Sequence, residues 1–248
     1  MKEKIYTIPV NEAFDTDCEC PFCLLERNLE TEAVEYALGA AMMEPDNRIE
    51  SNDKGFCARH FRMLYDYPNS LGLALVLETH LEEIRKKLSK TYKKVPAVSG
   101  GLFKKNPSKT AAADLCETLS SIRKNCVICE KKDHTLKRYA SVALQLWADE
   151  PVFRKKFEDS KGVCLKHFEL LCELAPKTLS SQQTGEFISF LCAKEKQELE
   201  RIQEDIHKFT LKFDYRNADM PWGTAKDAPV RCVEKINGYI TAENEEEA

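Results

Sequence analysis

Apolar residues spaced three or four positions apart predict helices along most of the chain. From Leu73 they follow at Leu77, Leu81, Ile84 and Leu88, which is the spacing of an amphipathic helix. The same spacing recurs in the second half at Ile188, Leu191, Leu199, Ile202, Ile206 and Phe209. Only 9 of the 248 residues are glycine, so few positions interrupt these patterns. The sequence therefore predicts an all-α fold.

Further helices are predicted over residues 24–43, 130–149 and 164–174, and a last one from about Asp227 to Tyr239. A single short run, Ile5 to Val10, is a candidate strand.

One cysteine- and histidine-containing motif occurs twice. The first copy is Cys20-x-x-Cys23 followed by Cys57-x-x-His60, and the second is Cys126-x-x-Cys129 followed by Cys164-x-x-His167. The offset between the copies is 106 residues for the Cys-x-x-Cys part and 107 for the Cys-x-x-His part. Matching residues at a nearly constant offset indicate an internal duplication.

The duplication suggests a division of the chain into four segments. Residues 1–90 form a first helical repeat, and residues 111–211 form a second one. Residues 91–110 contain Pro96, Gly100 and Gly101, which is typical of a linker or loop. Residues 212–248 form a C-terminal extension that ends in an acidic tail.

Three cysteines and one histidine, arranged as two pairs, are a typical ligand set for a tetrahedral zinc ion. Two residues between the members of a pair allow both to reach one ion, and a position near a helix N-terminus favours the thiolate. We expect each copy to hold one zinc at the base of a helical hairpin, with a complete ligand shell and a structural role. The predicted ligands are Cys20, Cys23, Cys57 and His60, and Cys126, Cys129, Cys164 and His167.

Three other interpretations of these residues remain open. They could be buried cysteines and ordinary helical histidines. An iron–sulfur cluster usually requires four cysteines, and only the first copy has a spare one, Cys18, because Lys124 stands at the equivalent position. Cys20-Pro-Phe-Cys23 also resembles the dithiol motif of glutaredoxins, which requires a βαβ context. The remaining thiols, which are Cys116, Cys172, Cys192 and Cys232, are expected to be inert core residues.

The charge distribution suggests one alternative partner. The net charge is -4, yet residues 85–109 contain nine basic residues and no acidic one. Such a segment could contact the phosphates of a nucleic acid, although a solvated basic linker is the commoner explanation. No uncharged stretch approaches the roughly 20 residues of a membrane helix, so no membrane association is expected.

Eleven cysteines and a start without an apolar signal sequence favour a reducing cytoplasm. The chain has no phosphate-binding loop, no dinucleotide fingerprint, no nucleophile elbow and no His-Glu-x-x-His sequence. These absences exclude the enzyme classes that are simplest to identify and make an enzyme less favoured.

The paired motifs, together with Phe213-Asp-Tyr-Arg-Asn-Ala-Asp-Met-Pro-Trp-Gly223, resemble an uncharacterised bacterial family that is catalogued as a domain of unknown function. The resemblance extends from Lys2 to about Gly238. It implies a cytoplasmic bacterial protein with metal ligation and no assigned activity, and it supplies no catalytic residues.

Three functions are consistent with these observations. The first is a non-enzymatic two-zinc helical protein that acts as an interaction or regulatory module with a protein partner. The second is a thiol- or metal-based redox sensor or enzyme that uses Cys18, Cys20 and Cys23. The third is nucleic-acid binding through residues 85–109.

Overall fold

The computed structural model describes residues 4–95, 107–217 and 219–239. These residues form eleven α-helices and no strand, which confirms the all-α prediction. The helices are α1 (Lys4–Asp15), α2 (Pro21–Ala37), α3 (Pro45–Lys54), α4 (Ala58–Asp66), α5 (Ser70–Tyr92), α6 (Pro107–Lys124), α7 (Val127–Asp149), α8 (Pro151–Asp159), α9 (Leu165–Thr178), α10 (Ser181–Leu211) and α11 (Ala228–Asn237).

Local sequence signals explain where several helices begin. Pro45 and Pro151 occupy the first turns of α3 and α8, where a missing backbone N–H costs nothing. Ser180 caps α10 and forms a reciprocal capping box with Gln183. The last predicted helix matches α11 closely.

The prediction of a strand over Ile5–Val10 is wrong, because these residues belong to α1. The buried positions of α1 are Val10, Ala13 and Phe14, which have the spacing of one helical face. Burial of that face outweighs the local preference of Ile5 and Ile8, both of which are exposed.

The described residues divide into two compact units. Unit 1 combines the chain up to Asn28 with the chain from His134 onward, and unit 2 is Leu29–Asp133. The units therefore do not coincide with the two copies of the motif along the sequence. Of the predicted linker 91–110, Thr91 and Tyr92 end α5 and residues 107–110 begin α6. Residues 96–106 and the acidic tail lie outside the described residues.

The core of unit 1 is aromatic. Phe14 packs edge-on against Phe22 and Phe153, with ring centroids 5.8 and 4.9 Å apart. Phe187 packs against Trp147 and Phe157 at 5.0 and 6.0 Å. Edge-to-face pairs of this kind add stabilisation to that of the buried area.

Unit 1 also contains a buried network of charged side chains. Lys235 of α11 is fully buried, and its ammonium group donates to the carbonyl oxygen of Lys161 at 2.5 Å. The same group lies 3.5 Å from the carboxylate of Glu195, which accepts a hydrogen bond from the backbone N–H of Val163. Burial raises the pKa of Glu195, whereas Lys235 opposes that rise. The network fixes the chain segment that precedes Cys164.

The core of unit 2 is aliphatic and includes residues between the paired cysteines. Val34, Leu38, Leu64 and Val76 are buried in one cluster with Phe56. Val127 and Ile128, which lie between Cys126 and Cys129, belong to the same cluster. The cysteine pair is therefore part of the hydrophobic core rather than of a surface loop.

The residues that follow α10 fold back and pack against its C-terminal end. Trp222 packs on Phe209 with ring centroids 5.6 Å apart, and Lys212 donates to the carbonyl oxygen of Met220 at 2.6 Å. Phe213 also packs on Phe209, with ring centroids 5.3 Å apart, although it is 76% exposed, and Tyr215 is 87% exposed. Among the described residues, no helix is both long and apolar enough to cross a membrane.

Candidate metal centres

The eight predicted ligands lie in two groups of four. Cluster A consists of Cys20, Cys23, Cys164 and His167, and cluster B consists of Cys57, His60, Cys126 and Cys129. Within each cluster the sulfur and ring nitrogen atoms all lie within 4.8 Å of one another. Cluster A lies in unit 1 and cluster B in unit 2.

The expected pairing within each copy is wrong. Each cluster combines the Cys-x-x-Cys of one copy with the Cys-x-x-His of the other. Helix lengths explain the difference. At 1.5 Å per residue, α2 carries the chain about 26 Å away from Cys20, and the following α3 is about 15 Å long. The imbalance is larger for α7 and α8, at about 34 and 14 Å. These hairpins do not return to their starting point.

Every ligand pair stands at the beginning of a helix. Cys57 and Cys164 are the N-cap residues of α4 and α9, with nearly equal backbone angles of φ -74°, ψ 168° and φ -75°, ψ 162°. Cys20 and Cys126 directly precede α2 and α7. The unpaired N–H groups and the dipole of a helix N-terminus stabilise negative charge, so this position favours thiolates.

The histidines enter the clusters through the same ring atom. In cluster A, Nδ1 of His167 lies 3.3 Å from Sγ of Cys20 and 3.2 Å from Sγ of Cys164. In cluster B, Nδ1 of His60 lies 3.2 Å from Sγ of both Cys57 and Cys126.

The opposite ring nitrogen of each histidine faces a buried carboxylate. Nε2 of His167 lies 3.5 Å from Glu26, and Nε2 of His60 lies 3.4 Å from Glu30. Both carboxylates stand on α2, four residues apart. A carboxylate behind a histidine fixes the ring orientation and increases the basicity of the ligating nitrogen, and it is common at metal sites.

A basic residue holds each carboxylate. Lys166, directly before His167, donates to both carboxylate oxygens of Glu26 at 2.6 Å. Arg59, directly before His60, donates to Glu30 at 2.5 Å. The repeat contains no signal for Glu26 and Glu30, because at the position 106 residues after Glu26 the second copy has Lys132. In unit 2 this lysine lies 3.8 Å from Glu30.

Charge within the clusters is shared between sulfur and imidazole. Burial lowers the pKa of His60, but hydrogen bonds to Cys126 and Glu30 outweigh it and raise the pKa to about 9. Burial raises the pKa of Cys126, but the hydrogen bond with His60 outweighs it and lowers the pKa to about 6. In cluster A, burial lowers the pKa of His167, but hydrogen bonds with Cys164 and Cys23 outweigh it and raise the pKa to about 11. Hydrogen bonds with Cys20 and Cys23 hold the pKa of Cys164 far below its usual range. Each cluster thus stabilises a thiolate, which is the form that binds metal.

The two clusters differ in exposure. All four residues of cluster A are buried, whereas Cys57 and Cys129 of cluster B are only partly buried. One cause is α11, because Gly238 at its C-terminus lies against the thiols of Cys23 and Cys164. The C-terminal extension therefore helps to cover cluster A.

The other cysteines lie outside both clusters. Cys18 is half-buried, and burial raises its pKa to about 11. Neither cluster of the described residues contains four cysteines, which disfavours an iron–sulfur cluster. The expectation of inert core thiols is wrong for Cys116 and Cys192, which are exposed, and Cys172 and Cys232 are half-buried. Cys116 and Cys192 lie on helical positions that face solvent.

Comparison with known proteins gives one match. A model described as "Family of unknown function (DUF6062)" matches residues 1–243. No curated protein matches, and no solved structure matches.

A glycine before each Cys-x-x-His pair is expected to be required for folding. Gly55 and Gly162 adopt left-handed φ angles of 68° and 72°, and an added methyl group would overlap the side chains of His80 and Glu195 respectively. We expect Gly55→Ala and Gly162→Ala each to destabilise the protein by more than about 1 kcal/mol in chemical denaturation.

Gly185→Ala is the matched control. Gly185 lies within α10 and has open space around its Cα, so alanine there is expected to stabilise the protein by about 0.5–1 kcal/mol. Equal effects of all three substitutions would contradict the role assigned to the two left-handed glycines.

Proposed function

We propose that this chain, which belongs to the DUF6062 family, is a non-enzymatic helical protein with two structural zinc ions, one in cluster A and one in cluster B. The observation that carries the proposal is the donor set: each cluster offers three sulfur atoms and one imidazole nitrogen within 4.8 Å. Four protein ligands complete a tetrahedral zinc shell and leave no position for a substrate.

The burial of these groups supports a role in folding. Six of the eight side chains and both supporting carboxylates are buried, and each cluster joins the N-termini of two helices that are distant in sequence. Structural zinc supplies apparent binding free energies of about 10–16 kcal/mol in small peptides, which is enough to decide whether a unit folds.

We propose that the zinc-stabilised fold acts as an interaction or regulatory module in a reducing cytoplasm. All eleven cysteines are free thiols, which suits such a compartment. Exposed apolar residues supply contact area for a protein partner, among them Val230, Val233 and Ile236 on one side of α11. Nucleic-acid binding through residues 85–109 is less favoured, since three of the described lysines of this segment, Lys86, Lys87 and Lys94, form ion pairs with carboxylates.

Double substitutions test both the presence of zinc and the combination of residues from different copies in each cluster. Elemental analysis of the purified chain is expected to give two zinc ions. Cys20→Ser with Cys164→Ser affects cluster A alone and should leave about one zinc per chain, whereas Cys20→Ser with Cys57→Ser affects both clusters and should remove nearly all of it.

The exposed pair Cys116→Ser and Cys192→Ser serves as the control and should retain two zinc ions. The opposite order of the two cluster variants would mean that each copy binds its own ion. A brown protein containing iron, or a protein without any metal, would overturn the proposal.

The carboxylates of α2 should affect the two ions separately. Glu26→Gln is expected to weaken zinc binding at cluster A by about 10- to 100-fold and to leave cluster B unchanged, because Glu26 supports only His167. Glu30→Gln should have the converse effect, so each variant is the control for the other. Competition with a chromophoric chelator measures both affinities. An equal loss at both clusters in either variant would contradict separate roles.

A reactive metal–thiolate centre is the second candidate function, and the partial exposure of Cys57 and Cys129 favours cluster B as its location. Cys18 is a weaker candidate, because its raised pKa keeps the thiol protonated near neutral pH.

Limited alkylation followed by peptide mapping distinguishes these locations. We expect Cys57 and Cys129 to be modified before Cys20, Cys23 and Cys164, with exposed Cys116 as the internal reference for an unhindered thiol. Early modification of Cys18 would instead support the centre built on Cys18, Cys20 and Cys23. Protection of both clusters alike would favour purely structural ions.

A further inference from the structure

Helix α5 presents one stripe of evenly spaced residues to solvent. Leu71 and Tyr92 stand at the two ends of this stripe and are 72% and 55% exposed, and Leu81 near its middle is 57% exposed. The members of the α5 stripe are separated by three or four positions, and all are exposed apart from half-buried Leu88: Leu71, Ala74, Glu78, Leu81, Arg85, Leu88 and Tyr92. This is the spacing along which two helices pack lengthwise against each other.

The other sides of α5 hold the helix in unit 2. Its buried residues are Gly72, Val76, His80 and Thr91. Arg48 of α3 donates to the hydroxyl of Thr79 at 2.7 Å, and the hydroxyls of Thr91 and Thr118 of α6 lie 3.1 Å apart. The α5 stripe is therefore not needed to attach the helix to its unit. Exposed apolar side chains in a continuous row are typical of an interaction surface.

Charge on α5 is divided along the helix, because its acidic residues all come before its basic ones. The acidic residues are Glu78, Glu82 and Glu83, and the basic residues are Arg85, Lys86, Lys87 and Lys90. The α5 stripe contains one of each sign, Glu78 and Arg85, two helical turns apart on the same side. Neither forms an ion pair within the described part of the chain, whereas Lys86 and Lys87 both do.

We propose that the α5 stripe binds a second copy of this chain, with the two α5 helices antiparallel. A two-fold axis that passes between Leu81 and Glu82 brings Leu81 of each copy together at the centre of the contact. Glu78 of each copy then lies level with Arg85 of the other, and Leu71 lies level with Tyr92. The contact consists of two ion pairs with apolar side chains between them and at both ends.

The symmetry of the α5 stripe favours a second copy as the partner. A two-fold interface uses the same surface twice, so that surface must be complementary to itself. Opposite charges at equal distances on either side of Leu81 meet this condition, and a partner of different sequence would not require it. A parallel arrangement would place Glu78 against Glu78 and Arg85 against Arg85, and like charges in an interface repel each other.

Sedimentation equilibrium of the zinc-loaded full-length protein over a range of concentrations tests the proposal. The wild type is expected to form a dimer in equilibrium with the monomer. Leu81→Asp places two carboxylates together at the two-fold axis and should weaken dimerisation by at least about 10-fold. Ile49→Asp is the matched control, because Ile49 of α3 belongs to the same unit and is 67% exposed, and it should leave dimerisation unchanged. Both variants should retain the zinc content and helical circular dichroism of the wild type.

Charge reversal tests the antiparallel orientation. Glu78→Arg and Arg85→Glu each replace two ion pairs with two pairs of like charge and should each weaken dimerisation by at least about 10-fold. The double variant restores two ion pairs between antiparallel helices and should dimerise about as tightly as the wild type. A protein that stays monomeric at every concentration, a dimer that Leu81→Asp does not weaken, or a double variant as weak as the single ones would each overturn the proposal.

Discussion

The convergence of helix N-termini on sulfur is the interaction on which the rest of the structure depends. Four helices begin at or directly after a cysteine, and the N-termini of two of them meet in each cluster. Thiolates so close together repel one another, and the helix ends and the imidazole offset that repulsion. Other features hold the chain segments that carry these cysteines and histidines in place. They are the glycines with left-handed φ angles, the buried carboxylates and the ion network around Lys235.

Much of this arrangement could be predicted from the sequence because it is local. The 3–4 spacing of apolar residues predicted helices, and the spacing within each Cys-x-x-Cys and Cys-x-x-His pair predicted shared clusters of three cysteines and one histidine. Which Cys-x-x-His pair joins which Cys-x-x-Cys pair could not be predicted, because the similar gaps of 33 and 34 residues contain helices of unequal length. Glu26 and Glu30 were missed for a related reason: both stand on α2, so the support of the two histidines does not follow the repeat.

The C-terminal extension makes two otherwise similar clusters unequal. Gly238 and the buried Lys235 bring α11 against cluster A, whereas two cysteines of cluster B remain partly exposed. Burial of charged groups is unfavourable unless each one is paired. In unit 1 the ammonium group of Lys235 is paired with the carboxylate of Glu195 and with the carbonyl oxygen of Lys161. The result is one enclosed cluster and one that solvent can reach.

The position of Glu26 on α2 limits how this part of the sequence can change in length. Cys23 and Glu26 stand three residues apart on one helix, and both belong to the surroundings of cluster A, Cys23 as a candidate ligand and Glu26 behind His167. One residue inserted between them would turn Glu26 by about 100° around the helix axis relative to Cys23, away from His167. Loops between helices tolerate such insertions far more readily. Sequences that keep cluster A should therefore vary in length elsewhere and keep this turn of α2 free of insertions and deletions.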